Sequence, residues 1–232
     1  MKQPISICWF RRDLRLEDHA ALYHALRSPY PVLPVFIFDP LILDKLENKA
    51  DKRVDFIHQA LEALQTKLIC HQSSLLVLHQ SPLEAYRELT DRFNIKAVFC
   101  NHDYEPYAQK RDREIAAFLQ SKGITFHTYK DQVLLEKDEV LKDDGKPYTV
   151  FTPYSRKWKS ILTPFHLKAY PTEKYADGFW QTNPFRIPSL EEIGFQSTGF
   201  RFHVPVINEP VLQHYAQTRD IPSIPGTSRL SV

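Results

Sequence analysis

The chain has 232 residues, of which 43% are hydrophobic and 25% are charged, and this composition is typical of a soluble globular protein. The formal charge of +2 excludes a uniformly basic nucleic-acid-binding protein, and no stretch reaches the roughly 18 apolar residues of a membrane helix. Arg11 and Arg12 interrupt the first apolar run early, so we expect no signal peptide. Cys8, Cys70 and Cys100 are odd in number and lack metal-ligand spacing, so we expect reduced thiols in a cytoplasmic protein without a membrane partner.

Five short apolar runs alternate with helical patterns in the first 130 residues. The runs are Ile5–Phe10, Val32–Phe38, Ser74–His79, Lys96–Asn101 and Ile124–Tyr129. Continuous apolar runs of this length are typical of parallel strands that are covered on both faces. Because strands and helices alternate, we predict an α/β fold with a doubly wound five-stranded parallel sheet.

The helices between these strands have clear local signals. Apolar residues recur every three or four positions in Asp51–Leu68, which predicts one buried stripe. The sequence from Ser81 to Glu84 is a capping box with proline at the first helical position. Pro106 is expected to open a further helix, and Gly123 to close it in a left-handed conformation.

The periodic pattern stops after Tyr129. Residues 131–203 are rich in proline and lack sustained periodicity, so we predict a connector that wraps a surface, with a short helix near Ser155–Leu162. A helical pattern returns near Glu209–Arg219. Accordingly, we expect three parts.

The three expected parts are an α/β domain at residues 1–130, the connector at 131–203 and the start of a helical domain at 204–232. The last part closes on Gly226–Ser231, which has the pattern of a capped helix start with no helix behind it. On that basis we expect the sequence to be the first part of a longer protein.

The carboxyl edge of the predicted sheet is the first candidate binding site, because ligands of open α/β sheets lie there. Glycine is absent from Met1 through Lys122, which excludes a glycine-rich phosphate loop in this half of the chain. Apolar and aromatic residues surround four polar ones, which favours a flat, conjugated ligand; the polar residues are Asp39, Arg53, Asn101 and Glu105. The alternative is structural: the arginines of the first turn, Arg11, Arg12 and Arg15, would pair with Asp13, Glu17 and Asp18.

The segment Gly226–Ser231 is the second candidate. Its three hydroxyls and the guanidinium of Arg229 would supply donors to a pyrophosphate at a helix start, with Tyr215 over the same ligand. The alternative is an ordinary N-cap with an exposed arginine. No nucleophile elbow, P-loop or C-x-x-C motif is present, so we assign no catalytic residue and no metal ligand.

Four motifs give the sequence a family resemblance. They are WFRRDLRL at Trp9–Leu16, NHDYEPYAQKRD at Asn101–Asp112, VFTPY at Val150–Tyr154 and GTSRLS at Gly226–Ser231. Together they resemble the DNA photolyase/cryptochrome family, and most closely its class I cyclobutane pyrimidine dimer photolyases. The resemblance implies an antenna-chromophore domain, a connector and a helical domain that holds FAD. It also implies light-driven electron transfer from reduced FAD that splits the cyclobutane ring, with UV-damaged DNA as the partner of a monomer.

The resemblance implies two sets of cofactor contacts. Tyr215, Thr227, Ser228, Arg229, Leu230 and Ser231 correspond to positions that bind FAD. The antenna positions correspond to Ile37, Phe38, Asp39, Arg53, Val54, Phe56, Ile57, Asn101 and Glu105. Folate-type members carry an asparagine–glutamate pair where this sequence has Tyr107-Ala108, so a deazaflavin antenna is favoured over methenyltetrahydrofolate.

Two rival functions stay open at this stage. One is a cryptochrome-type blue-light photoreceptor without repair activity. The other is a small-ligand-binding α/β domain unrelated to light, which would be expected to carry the nucleotide-loop glycines that this sequence lacks. We expect the 232 residues alone to be inactive in repair, since the resemblance places most of the FAD pocket beyond Val232.

Overall fold

The computed structural model describes residues 2–202, 209–221 and 223 of the chain. Five strands form one sheet: β1 (Pro4–Phe10), β2 (Val32–Phe38), β3 (Leu76–His79), β4 (Asn94–Asn101) and β5 (Thr125–Tyr129). All are parallel, in the order β3-β2-β1-β4-β5, so the chain winds to one side of β1 and then to the other. The predicted fold class is confirmed, and β2 begins and ends as predicted.

The described part of the chain contains seven α-helices. They are α1 (Ala20–Leu26), α2 (Pro40–Leu43), α3 (Lys52–Cys70), α4 (Pro82–Arg92), α5 (Pro106–Ser121), α6 (Phe151–Ile161) and α7 (Glu209–Thr218). The helix signals in the sequence are confirmed: the backbone N–H of Glu84 donates to the Ser81 hydroxyl, and Gly123 follows α5 with φ of +70°. None of the described helices is long and apolar enough to cross a membrane.

The sheet has a hydrophobic core on each face. Successive residues of β1 alternate between the two, because neighbouring side chains of a strand point in opposite directions. Phe10 joins the core shared with α1 and α3, whereas Trp9 joins the one that contains Tyr86 of α4 and Ile115 of α5. Full burial of a side chain such as Phe10 or Ile115 contributes about 1.5–3 kcal/mol to folding.

Part of the predicted connector packs on the first core. Phe179, Leu190, Ile193 and Phe195 are buried there, and the backbone N–H of Trp180 donates to Val32 of β2 at 2.8 Å. Residues 1–198 consequently form one compact unit, and residues 199–232 form a second that contains α7. The division of the chain at residues 130 and 203 stays a prediction.

Candidate functional site

A cleft of about 450 Å³ opens at the carboxyl ends of β1 and β2, beside the point where the strand order reverses. We call it the edge cleft. Its apolar lining comes from the ends of β1 and β2, from α2 and the loop after it, and from the starts of α3, α4 and α5; the residues are Trp9, Phe36, Ile37, Phe38, Ile42, Leu43, Leu46, Val54, Ile57, Pro82 and Ala108. This size and this lining are those of a site for a small organic molecule.

Local sequence signals place the first turns of α2 and α3 around the edge cleft. Asp39 directly follows β2, and its carboxylate accepts a hydrogen bond from the backbone of Leu41 at 3.0 Å, so it caps α2. Asp51 caps α3 in the same way through the backbone of Arg53, at 2.8 Å. Caps of this kind satisfy donors that the first turn of a helix leaves unpaired.

The opposite wall of the edge cleft is the first turn of α5. Tyr107 donates its hydroxyl to the second carboxylate oxygen of Asp39, which is itself buried. Burial and the Asp39 carboxylate raise the pKa of Tyr107 well above its usual range. Tyr107 therefore stays protonated at neutral pH and acts as a donor. Sequence reasoning did not assign this residue to the site.

Two buried arginines lie beside Trp9 at the base of the edge cleft. The guanidinium carbons of Arg11 and Arg111 are 5.0 Å and 4.9 Å from the centre of the indole ring. Both arginines pair with Asp112: one Arg11 nitrogen contacts both carboxylate oxygens at 2.8 Å, and Arg111 reaches one of them at 3.0 Å. Arg111 is a second residue that the sequence did not single out.

The arginines of the first turn bind partners far along the chain. Arg12 pairs with Glu105 at 3.0 Å, and Arg15 pairs with Asp131 at 2.8 Å. Arg11, as described, pairs with Asp112. The alternative in which these guanidiniums pair with the side chains of Asp13, Glu17 and Asp18 is therefore wrong for this structure. The turn instead ties β1 to the segments that follow β4 and β5.

Asn101 lies outside the edge cleft, in a buried polar network. Its side chain accepts a hydrogen bond from Ala21 of α1 at 2.9 Å and donates one to Asp13 at 2.5 Å. Asp13 also contacts His19 at 3.1 Å, and the other ring nitrogen of His19 accepts from Leu22 at 3.0 Å. Asn101 thus joins the end of β4 to the start of α1, which differs from its expected role in antenna binding.

Most of the predicted antenna residues line the edge cleft, namely Ile37, Phe38, Asp39, Arg53, Val54, Ile57 and Glu105. Besides Asn101, Phe56 is absent from the lining, because it lies on an exposed part of α3. Arg53 is at the rim, where its guanidinium contacts Asp51 at 2.6 Å. Arg53 is thus held in place by its own N-cap residue.

The predicted FAD residues lie in the last part of the chain. Tyr215 is on α7 and is partly exposed. Thr227, Ser228, Arg229, Leu230 and Ser231 are outside the described residues. Their assignment to FAD stays a prediction.

A larger hollow of about 680 Å³ lies between α1 and the connector. Tyr23, His24 and Tyr170 line it, and the ring of His24 stacks on Tyr129 at 4.2 Å. It lies away from the switch point between β1 and β4, where α/β folds bind their ligands. The edge cleft is for this reason the better candidate site.

The chain matches the family model for DNA photolyase over residues 6–174. It is 31% identical to an uncharacterized 31.6 kDa protein of Synechococcus sp. (strain PCC 6716), over 100% of this chain and 84% of that protein. It is 30% identical to a deoxyribodipyrimidine photo-lyase of Synechococcus sp. (strain ATCC 27144 / PCC 6301 / SAUG 1402/1), over 100% of this chain and 50% of the relative.

A solved photolyase structure is also similar to this chain. A class III photolyase from Agrobacterium tumefaciens superposes with a TM-score of 0.70 at 25% identity, over 86% of this chain and 40% of that one. The chain spans about half the length of the curated photolyases that it matches. The family model covers most of the chain, from residue 6 to residue 174. The chain belongs to the DNA photolyase family.

Proposed function

We propose that this chain is the antenna-bearing part of a light-driven DNA repair enzyme that splits cyclobutane pyrimidine dimers by electron transfer from reduced FAD. Relatives named deoxyribodipyrimidine photo-lyase, which match the chain along its whole length, support this activity. The observation that carries the proposal is the position of the edge cleft, since it is lined by most of the residues that correspond to antenna contacts in the family.

We assign the edge cleft to the antenna chromophore. A bound chromophore would supply light absorption, and the chain would supply a dry, shaped site for a flat ring. Phe38 and Ile57 offer apolar surface, and the guanidinium of Arg53 offers donors at the rim. Folate-type members have an asparagine–glutamate pair where this chain has Tyr107-Ala108, so the chain has alanine in place of the glutamate. This difference supports a deazaflavin over methenyltetrahydrofolate.

We assign the first FAD contacts to Tyr215 and the segment 227–231, on the family motif alone. The partner of the enzyme is UV-damaged DNA, from which the damaged bases would be flipped out of the stack. We further propose a cytoplasmic monomer; the buried thiols of Cys8 and Cys100 suit a reducing compartment.

Photoreactivation tests the proposed activity. The gene that encodes this chain, taken whole, is expressed in a bacterium that lacks its own photolyase, and survival after UV exposure is measured in blue light and in the dark. The proposal predicts a rise in survival in blue light only. Equal survival in light and dark would contradict it.

A cryptochrome-type photoreceptor is the second candidate function. It is supported by Cryptochrome-1 of Erithacus rubecula, which is 28% identical over 84% of this chain. The purified protein and an oligonucleotide with one thymine dimer separate the two functions. Light-dependent loss of the dimer supports repair, whereas a photoreducible flavin without dimer loss supports the photoreceptor.

A further inference from the structure

The helix α6 presents a stripe of apolar side chains at the surface of the described residues. Phe151, Tyr154, Trp158 and Ile161 recur at intervals of three and four positions, so they share one side of the helix. No residue of α6 is buried within the described part of the chain, and Phe151 is 78% exposed. A contiguous apolar surface of this kind indicates an interaction site.

The surroundings of the stripe are basic. Residues 148–172 contain four lysines and arginines and no aspartate or glutamate, whereas the whole chain has nearly equal numbers of basic and acidic residues, 30 and 28. Lys157 and Lys159 are the sequence neighbours of Trp158. A rotation of about 100° per residue places these two lysines on opposite sides of the stripe. The stripe is therefore flanked by positive charge.

Carboxylates offset only part of this charge. Lys157 is 3.8 Å from Asp143, whose side chain is fully exposed, and an exposed ion pair of this kind is weak. Arg156, Lys159 and Lys168 form no ion pair with any residue that the structure describes. The surface consequently keeps an excess of positive charge, which attracts an anionic partner.

A strand of nucleic acid fits both features of this surface. Its phosphates pair with lysine and arginine, and its bases stack on aromatic rings. Phe151, Tyr154 and Trp158 follow one another along α6, and at a rise of about 1.5 Å per residue they span about 10 Å. Bases of a duplex are already stacked on one another, so the rings require unpaired bases. The stripe thus suits a single strand better than a duplex.

An anionic membrane is the other partner that basic amphipathic helices bind. Three of the four side chains in the stripe are aromatic, and α6 has 11 residues. The helix therefore offers rings for stacking but little apolar area for insertion into lipid. The DNA partner proposed above favours the same choice.

We infer that α6 is a docking surface for single-stranded nucleic acid. Bases stack on Phe151, Tyr154 and Trp158, while Lys157 and Lys159 contact phosphates on either side. This inference rests on the DNA partner of the proposed function and gives that partner a contact within residues 1–198. Because stacking and phosphate contacts do not read base edges, the docking is independent of sequence.

Binding titrations of the 232-residue chain, in the dark and followed by fluorescence anisotropy, test the surface. The probe is a labelled, undamaged oligothymidylate of about 12 nucleotides, and a strand of equal length built from abasic sites is the matched probe without bases. We expect the abasic strand to bind about tenfold more weakly or worse. For the oligothymidylate, log affinity should fall against log salt with a slope of about −1.4, which corresponds to two phosphate contacts.

Two variants separate stacking from charge. Phe151→Ala should weaken the oligothymidylate about tenfold and leave the salt slope unaltered. Lys159→Gln should weaken it and make the slope shallower by about 0.7. Both positions are exposed, so both variants should fold. Phe56→Ala and Lys110→Gln, at exposed positions of α3 and α5, are the matched controls and should not alter binding.

Equal affinity for the two strands would overturn base stacking, and absence of binding at low salt would overturn the whole surface. Affinity for vesicles of phosphatidylglycerol and phosphatidylcholine, without affinity for the oligothymidylate, would assign α6 to a membrane and overturn the inference as well. The titrations need no light, FAD or lesion. Photoreactivation without strand binding would thus overturn the surface alone, and strand binding without photoreactivation would overturn the repair activity alone.

Discussion

The hydroxyl of Tyr107 donates a hydrogen bond to the carboxylate of Asp39, and this bond joins the start of α5 to the end of β2. The two residues are on opposite walls of the edge cleft, so the bond fixes its width. Asp39 also caps α2. One carboxylate thus holds three elements around the proposed antenna site.

Tyr107→Phe removes this bond and keeps the ring. We expect the free energy of unfolding to fall by about 1 kcal/mol, because Asp39 is buried and loses one donor. Urea denaturation measures the change. Tyr148→Phe, at a position outside the cleft, is the control and should leave stability unaltered. Equal stability of both variants would show that the bond contributes nothing.

Asp13 should make the fold sensitive to acid. Burial alone raises the pKa of this carboxyl, but hydrogen bonds from His19, the backbone of Arg11 and Asn101 outweigh burial and lower it well below 3.8. The folded state therefore binds the proton less readily than the unfolded state. The resulting stabilisation is complete above the unfolded pKa and is lost as the pH falls below it.

Asp13→Asn is expected to cost about 2 kcal/mol at neutral pH, and the difference from the unmodified chain should shrink below pH 3.8. Unfolding curves recorded between neutral pH and strong acid measure it. Asp91→Asn, at an exposed position, should give no such convergence. A difference that stays constant with pH would refute the role given to Asp13.

Arg53→Ala tests the rim of the edge cleft. We expect several-fold weaker binding of a hydroxydeazaflavin, because an exposed charge at the rim contributes modestly. Thermal stability should be unaffected, since Arg53 is exposed and its ion pair among the described residues is with its own N-cap residue, Asp51. Arg87→Ala, on an exposed part of α4, is the control. Unchanged affinity in Arg53→Ala would move the ligand away from this rim.

Gly178→Ala tests the packing of the connector on the α/β unit. A Cβ atom at this position would lie 2.7 Å from the carbonyl oxygen of Leu26, which is backbone and has little room to move. We expect a loss of about 1–3 kcal/mol in unfolding free energy. Asp177→Ala, at the exposed neighbouring position, should cost far less. Similar losses in both variants would argue against this close contact.

Features that depend on neighbours in sequence were predictable. The run Val32–Phe38 is apolar throughout, and it forms an interior strand that is buried along its whole length. The capping box at Ser81 and the left-handed Gly123 depend only on residues within one helical turn, so their signals are complete in the sequence. The position of the cleft follows from strand order, which the alternation of strands and helices constrains.

Features that depend on distant partners were not predictable from the sequence. Asn101 ends a strand as a ligand-binding residue would, but its environment is set by Asp13 and Ala21, whose approach requires the folded sheet. Arg11 could pair with a nearby acid or with Asp112, and only the packing of α5 against β1 decides. The burial of Phe179 likewise has no periodic signal, because the connector is irregular.

The central claim is that the edge cleft holds a planar antenna chromophore. A crystal structure of the chain saturated with a hydroxydeazaflavin tests it most directly. The account predicts electron density for the ring in the edge cleft, between Ile42 of α2 and Tyr107 of α5. Density in the hollow lined by Tyr23 and Tyr170, with the edge cleft empty, would contradict it.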